Sequence, residues 1–406
     1  MLNRVELLAP AGNMECLKTA LHFGADAVYI AGKRYGLRAF AANFDIDEIK
    51  YACTLAHSMN KKIYVTVNAL MRDDEFMGLR DYIVSLKDAG VDAVIISDPG
   101  VFCVARDIME VHLSTQASTM NSYAANFWHE QGYKRIVMAR EATLEDIQKI
   151  RKNTPDTLEI EAFIHGAMCI AYSGRCLMSS VLTGRSGNKG ACAQPCRWKY
   201  TIHEEGYPDD YFPIEEDDNG TYVLNSKDLM MIEHIPEMIE AGICSFKIEG
   251  RMKSPYYVAS VVSAYRKAID EYYKDADHYK VDPEWVKELE MSATRRFTTG
   301  FFFGNPKGEA QDVKRDFTTR GYTFCAIVKG PRDEDGLYPI EQRNRFFCGD
   351  VLHILSPKNA DLSFQVDTIV NAEGALQDCA PHPQQQLRIN CPFELQEGDI
   401  LRAIKN

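Results

Sequence analysis

The sequence predicts an α/β protein: a (β/α)8 TIM-like barrel with an insertion after strand seven, followed by a small C-terminal all-β barrel domain. Three observations predict it. Short β-branched runs alternate with helical stretches eight times before residue 251. Helices end at Gly just before the next run, as in "GADAVYI" at 24, "GVDAVII" at 90, "GYKRIVM" at 132 and "GICSFKI" at 242. Gly suits the left-handed residue that closes a helix, so each marks a helix-to-strand turn. Beyond residue 317 the helical pattern gives way to short alternating runs. A doubly wound sheet is the alternative.

The expected strands are, in order, "ELLAP" (6), "AVYIA" (27), "IYVTVN" (63), "AVIIS" (93), "VHLSTQ" (111), "RIVMA" (135), "EIEAFIHG" (159) and "SFKIEG" (245). Helix starts between them carry capping signals. Asp45 with Glu48, and Thr143 with Asp146, have capping-box spacing. Asp98-Pro99 and Ser254-Pro255 each put a capping residue before a first-turn Pro. Phe76, Leu79, Ile83 and Leu86 form one sheet-facing stripe, and Val258, Val261, Val262, Tyr265 and Ile269 another.

The barrel should span 1–303 and carry a cysteine loop, 167–222, that includes a β-hairpin excursion. Residues 304–317, "GNPKGEAQDVKRDF", read as a linker, and 318–406 as the β-barrel domain, from runs such as "GYTFCAIVKG", "RFFCGDVLHIL" and "GDILRAI".

With 46% hydrophobic and 26% charged residues the composition is that of a soluble globular protein. Neither a membrane-length apolar run nor a secretory leader is apparent, and a cytoplasmic location is expected. The net charge of −12 argues against broad, charge-driven nucleic-acid binding. Yet Ala162 to His203 contains no acidic residue, while carrying Arg175, Arg185, Lys189, Arg197 and Lys199; "EEGYPDDYFPIEEDD" follows at once. A polyanionic partner should meet the first segment and avoid the second.

Four of the twelve cysteines fall in this acid-free stretch, spaced Cys169-x6-Cys176-x15-Cys192-x3-Cys196. In a reducing compartment clustered thiols point to metal or catalysis rather than disulfides. Structural zinc favours tight Cys-x2-Cys pairs. The wider spacing here favours a 4Fe–4S cluster, with Cys244 as a reserve fourth ligand to Cys196. Cys16, Cys53 and Cys103 read as core residues of helices.

"EAFIHGAMCIAYSGRCLMSS" resembles the signature of the U32 peptidase family, the collagenase-like proteins, matching at Glu161, Phe163, Gly166 to Cys169, Gly174 to Cys176 and Ser179. The likeness runs from "ELLAPAGN" through "STQAS" to "SFKIEGRMKSPYYV" and takes in the C-terminal β domain. It implies ligation through Cys169, Cys176 and Cys192. Length and cysteine pattern are most similar to members that hydroxylate carbon 5 of the wobble uridine of tRNA, without oxygen and with prephenate as co-substrate. Other relatives act on ribosomal RNA or ubiquinone precursors.

The family name makes a peptidase the alternative. The sequence has no His-Glu-x-x-His and no Gly-x-Ser-x-Gly, and a cluster-bound thiolate is a poor nucleophile. A third possibility is an iron–sulfur carrier serving another RNA or quinone hydroxylase. On the hydroxylase reading, strand ends supply His165, Lys247, Glu249, Gln116 and Asn68 as candidate catalytic groups. Arg34, Arg38, Arg140, Arg175, Arg251 and Lys253 are candidates for binding a dicarboxylate or phosphates through paired hydrogen bonds. Lys247 and Glu249, two apart on one strand, are also placed to pair with each other. The barrel would hold a flipped-out base, and the basic loop and β domain the RNA backbone.

Overall fold

The computed structural model describes residues 4–37, 42–169, 171–198, 201–204, 207–213, 226–306, 310, 321–358 and 362–404. Eight parallel strands close a barrel: β1 Glu6–Pro10, β2 Ala27–Ala31, β3 Lys62–Val67, β4 Ala93–Ile96, β5 Val111–Leu113, β6 Arg135–Val137, β7 Glu159–Ala167 and β8 Ser245–Ile248. Each pairs with the next, and β8 pairs with both β7 and β1. Every strand named from the sequence is present.

Local chemistry explains the turns. Gly24, Gly90, Gly132 and Gly242 adopt φ of 99°, 94°, 113° and 87°, where a Cβ would be strained. Both expected capping boxes form, and Ser254 caps the long helix Pro255–Lys274 through the Tyr257 amide. The stripe of that helix is fully buried against the strands. Among the helix cysteines, Cys16 and Cys53 are buried as expected, but Cys103 is exposed, on the outward side of its short helix.

Two layers fill the barrel interior. Leu8, Ala27, Tyr29, Tyr64, Ala93 and Ile95 make an apolar plug. Toward the strand N-termini lies an ionic network: Arg135 reaches Glu6 at 2.6 Å, Glu159 at 2.8 Å and Glu161 at 3.1 Å, and Lys247 reaches Glu161 at 2.6 Å. Charges so deeply buried persist only when paired this completely. Tyr29 and Ile95 of the apolar layer and Lys247 of the network line the cavity above.

After β7 the chain forms the cysteine loop, then a hairpin of Thr201–Glu204 with Tyr207–Pro213. It returns as a short strand, Asp228–Met230, antiparallel to the end of β7. Residues 307–309 and 311–320 of the expected linker and its flank lie outside the described residues. The C-terminal unit is an eight-stranded antiparallel sheet, with the strand Ile400–Ile404 lying between Tyr322–Val328 and Val351–Leu355. Its own core gathers Val328, Tyr338, Leu352, Ile389 and Leu401. It docks on the barrel helices through Arg402 to Glu288, at 2.6 and 2.7 Å, and His22 to Asp399, at 2.9 Å. No helix among the described residues is long and apolar enough to cross a membrane.

Candidate active site

The C-terminal ends of the strands open into a cavity of about 190 Å³ roofed by the cysteine loop. A single water needs about 10–15 Å³ by such a measure, so the chamber takes a molecule of many heavy atoms. Six predicted residues line its barrel side: Asn68, Gln116, Arg140, Lys247, Glu249 and Arg251. Cys169, Cys176, Cys192 and Cys196 line its loop side.

The loop is shaped by small residues and short turns. Leu177 leads into a helix, Met178–Thr183, that closes at Gly184, and two single-turn helices follow at Gly187–Lys189 and Pro195–Arg197. Ser179 Oγ accepts the Ala193 amide at 3.0 Å, tying the two halves of the loop together. Gly187 packs on Cys192, where an added Cβ would lie 3.7 Å from its Sγ. The Gln194 amide donates to Cys192 Sγ at 3.3 Å. Lys189 bonds Glu75 at 2.6 Å, anchoring the loop to the segment after β3.

Electrostatics link the four sulfurs. Burial pushes the Cys196 thiol up, Arg197 pulls it down, and Cys169, Cys192 and Cys176 push it up again as neighbouring charges. Among the described residues no three His, Cys, Asp or Glu side chains are gathered tightly enough to hold a single metal ion. Cys244 sits at the opposite end of the barrel and donates to Ile160 O, and burial pushes its thiol up to about 11. It is not part of the cavity wall.

On the barrel side, each cation is held by a named partner. Arg140 bonds Ser173 at 2.6 Å and Glu249 at 3.1 Å and lies over the Phe163 ring. Arg251 bonds Thr66 at 2.9 Å and the Leu37 carbonyl. The expected Lys247–Glu249 pair does not form. Lys247 goes down to Glu161 and Glu249 across to Arg140, because β7 and β6 bring opposite charges closer than two residues along one strand.

Four predicted residues lie elsewhere. His165 is outside the cavity, enclosed by Tyr257, Tyr265 and Phe297, and burial depresses its pKa to about 3. A β-bulge is the reason: Phe163 aligns with Lys247 but His165 with Ile248, so one extra residue in β7 turns His165 to the outer face. A neutral, enclosed imidazole does not suit a proton donor to the chamber. Lys253 lies over the Tyr257 ring, 5.0 Å from its centroid, with its pKa lowered by burial. Arg34 is stacked on Tyr35, and Arg175 is exposed on the loop. Arg38 lies outside the described residues.

Thr66, Ser114 and Ser173, not among the candidates, line the cavity, and so does Arg197, named only as one of the basic residues of the loop. Arg197 donates to Met168 O at 3.3 Å beside the cysteines, and its place directly after Cys196 was the available signal.

Comparison with known proteins bears on this architecture. Peptidase family U32 matches residues 12–312, and the peptidase family U32 C-terminal domain matches residues 320–402. tRNA hydroxylation protein P1 of Bacillus subtilis (strain 168) is 41% identical over 403 residues, covering 98% of this chain and 95% of its own length. tRNA hydroxylation protein P of Escherichia coli (strain K12) is 34% identical over 438 residues, covering 96% and 94%. An uncharacterized protease of Methanocaldococcus jannaschii is 42% identical over 307 residues, covering 75% and 74%.

Proposed function

The chain belongs to peptidase family U32, and from that premise we propose that it is an RNA-modifying enzyme that hydroxylates carbon 5 of the wobble uridine of tRNA. The observation that carries the reading is the shared cavity: four thiols on its roof and cationic strand-end residues on its floor face one chamber. Near full-length similarity to proteins named for tRNA hydroxylation supports the substrate class.

The cysteines suit a 4Fe–4S cluster. The four residues line one wall of the chamber and lie in an acid-free loop, and Cys192 Sγ already receives a backbone N–H. Cys169, Cys176, Cys192 and Cys196 would hold the cluster, which when bound would supply one-electron chemistry. The rest falls to side chains of this chain. Arg251, Arg140 and Lys247 give the chamber a positive floor suited to a dicarboxylate such as prephenate as oxygen donor. Tyr29 and Phe163 also line the chamber, their rings lying under the Lys247 and Arg140 cations. The basic residues of the loop, Arg175 and Arg185, stand exposed outside the mouth, where an RNA backbone would pass, in the cytoplasm.

Nucleoside mass spectrometry of tRNA from a deletion strain tests the reading. Loss of 5-hydroxyuridine derivatives is expected; unchanged levels would sink it. The peptidase reading, favoured by the family name and the M. jannaschii relative, predicts instead that the purified, metal-loaded protein cleaves gelatin. It must draw its nucleophile from the same chamber.

A further inference from the structure

Gln116 holds a polar group in reserve. A relay of hydrogen bonds begins at the Leu37 backbone N–H, which can only donate, and which reaches Asn68 Oδ1 at 3.2 Å. That fixes the Asn68 amide, whose Nδ2 donates to Gln116 Oε1 at 2.8 Å. Ser114 Oγ donates to the same oxygen at 3.2 Å. The Gln116 amide is thereby oriented: its oxygen faces Asn68 and Ser114, and its nitrogen faces away. Gln116 is only 8% exposed and lines the cavity, yet Nε2 has no hydrogen-bond partner among the described residues. A buried N–H left in this state is costly unless something arrives to accept it.

The neighbouring donors are engaged differently. Lys247 is drawn to Glu161, Arg140 to Ser173 and Glu249, and Arg251 to Thr66 and Leu37. The neutral amide is set aside from these pairings.

We propose that Gln116 is a specificity-determining residue that donates from Nε2 to an sp2 oxygen, carbonyl or carboxylate, of the molecule bound in the chamber. The inference rests on reading the chamber as the site of hydroxylation. Two sources share that chemistry. A pyrimidine with a 4-oxo group presents an acceptor, whereas a 4-amino group presents a second donor and is rejected. A carboxylate of the co-substrate presents the same acceptor.

The test compares Gln116→Glu, which keeps the length and the acceptor for Asn68 and Ser114 but loses the donor, with Gln116→Met, which keeps only the volume. Both are made in the full-length, anaerobically purified protein. Prephenate affinity is read by equilibrium dialysis and the KM for a tRNA transcript by turnover. In either variant, folded as judged by Tm, one of the two should weaken about tenfold or more. Weaker prephenate binding with unchanged tRNA KM assigns the contact to the carboxylate; the reverse assigns it to the base. Wild-type values on both arms in a folded variant overturn the proposal, Nε2 then being satisfied by the loop around Gly174. A wild-type protein that hydroxylates no tRNA defeats the functional reading instead, while the dialysis arm still reports on Gln116.

Discussion

Lys247 Nζ lies 2.6 Å from Glu161 Oε1 across the seam where β8 meets β7, with both side chains almost wholly buried. Burial alone would raise the Glu161 pKa, but Lys247 and Arg135 outweigh it and hold it at about 2. Glu161→Gln leaves two buried cations short of an anion and should cost about 3–5 kcal/mol in urea unfolding. A loss below about 1 kcal/mol would mean that Glu6 takes over.

His165 predicts a pH dependence. Its folded pKa of about 3 is depressed from 6.5, so its contribution is intact above pH 6.5 and is lost as pH falls toward 3, because the unfolded chain binds the proton first. The Tm of the wild type should therefore fall between pH 6.5 and 5, and His165→Gln should flatten that part of the curve. Parallel curves would show that His165 protonates in the folded state.

Iron analysis addresses the cysteines individually. Anaerobically purified wild type should be brown, with about four irons per chain. Serine at Cys169, Cys176, Cys192 or Cys196 should reduce both colour and iron, whereas Cys103→Ser and Cys244→Ser should retain them. A colourless wild type carrying one zinc would refute the cluster.

Gly174 adopts φ 77°, and a Cβ there would stand 3.1 Å from Gln116 Nε2. Gly174→Ala is expected to lower kcat/KM at least tenfold while Tm moves by only a few degrees, since loop and glutamine shift together. Normal turnover would show that the glutamine can yield without consequence.

Arg402→Met should loosen the C-terminal unit from the barrel. The change strands Glu288, whose pKa Arg402 holds down against burial, and should cost about 3 kcal/mol. Faster proteolytic release of the C-terminal unit at unchanged barrel stability is the expected readout.

The barrel was legible because its signals are local. β-branched runs, closing glycines and capping boxes act within a few residues, and all eight strands appear where they were read. The cysteine cavity was legible for a related reason: four cysteines of one loop cannot scatter far. What sequence could not show depends on register. Alternation along β7 puts His165 in the barrel until the bulge turns it out, and nothing in "FIHGA" announces the bulge. The partner of Lys247 lies 86 residues earlier, on the neighbouring strand. Choosing it over Glu249 required the closed ring.

Ring closure joins β1 to β8, pairing Glu6 with Ser245. During synthesis the ribosome therefore exposes all four loop cysteines before the last stave of the barrel exists. In that interval the thiols are approachable from the flank that β8 later seals, and oxidation to a misplaced disulfide would jam the ring open. Reducing conditions are thus expected to matter while the chain is being made, and whatever the chamber binds after closure has only the mouth to enter by.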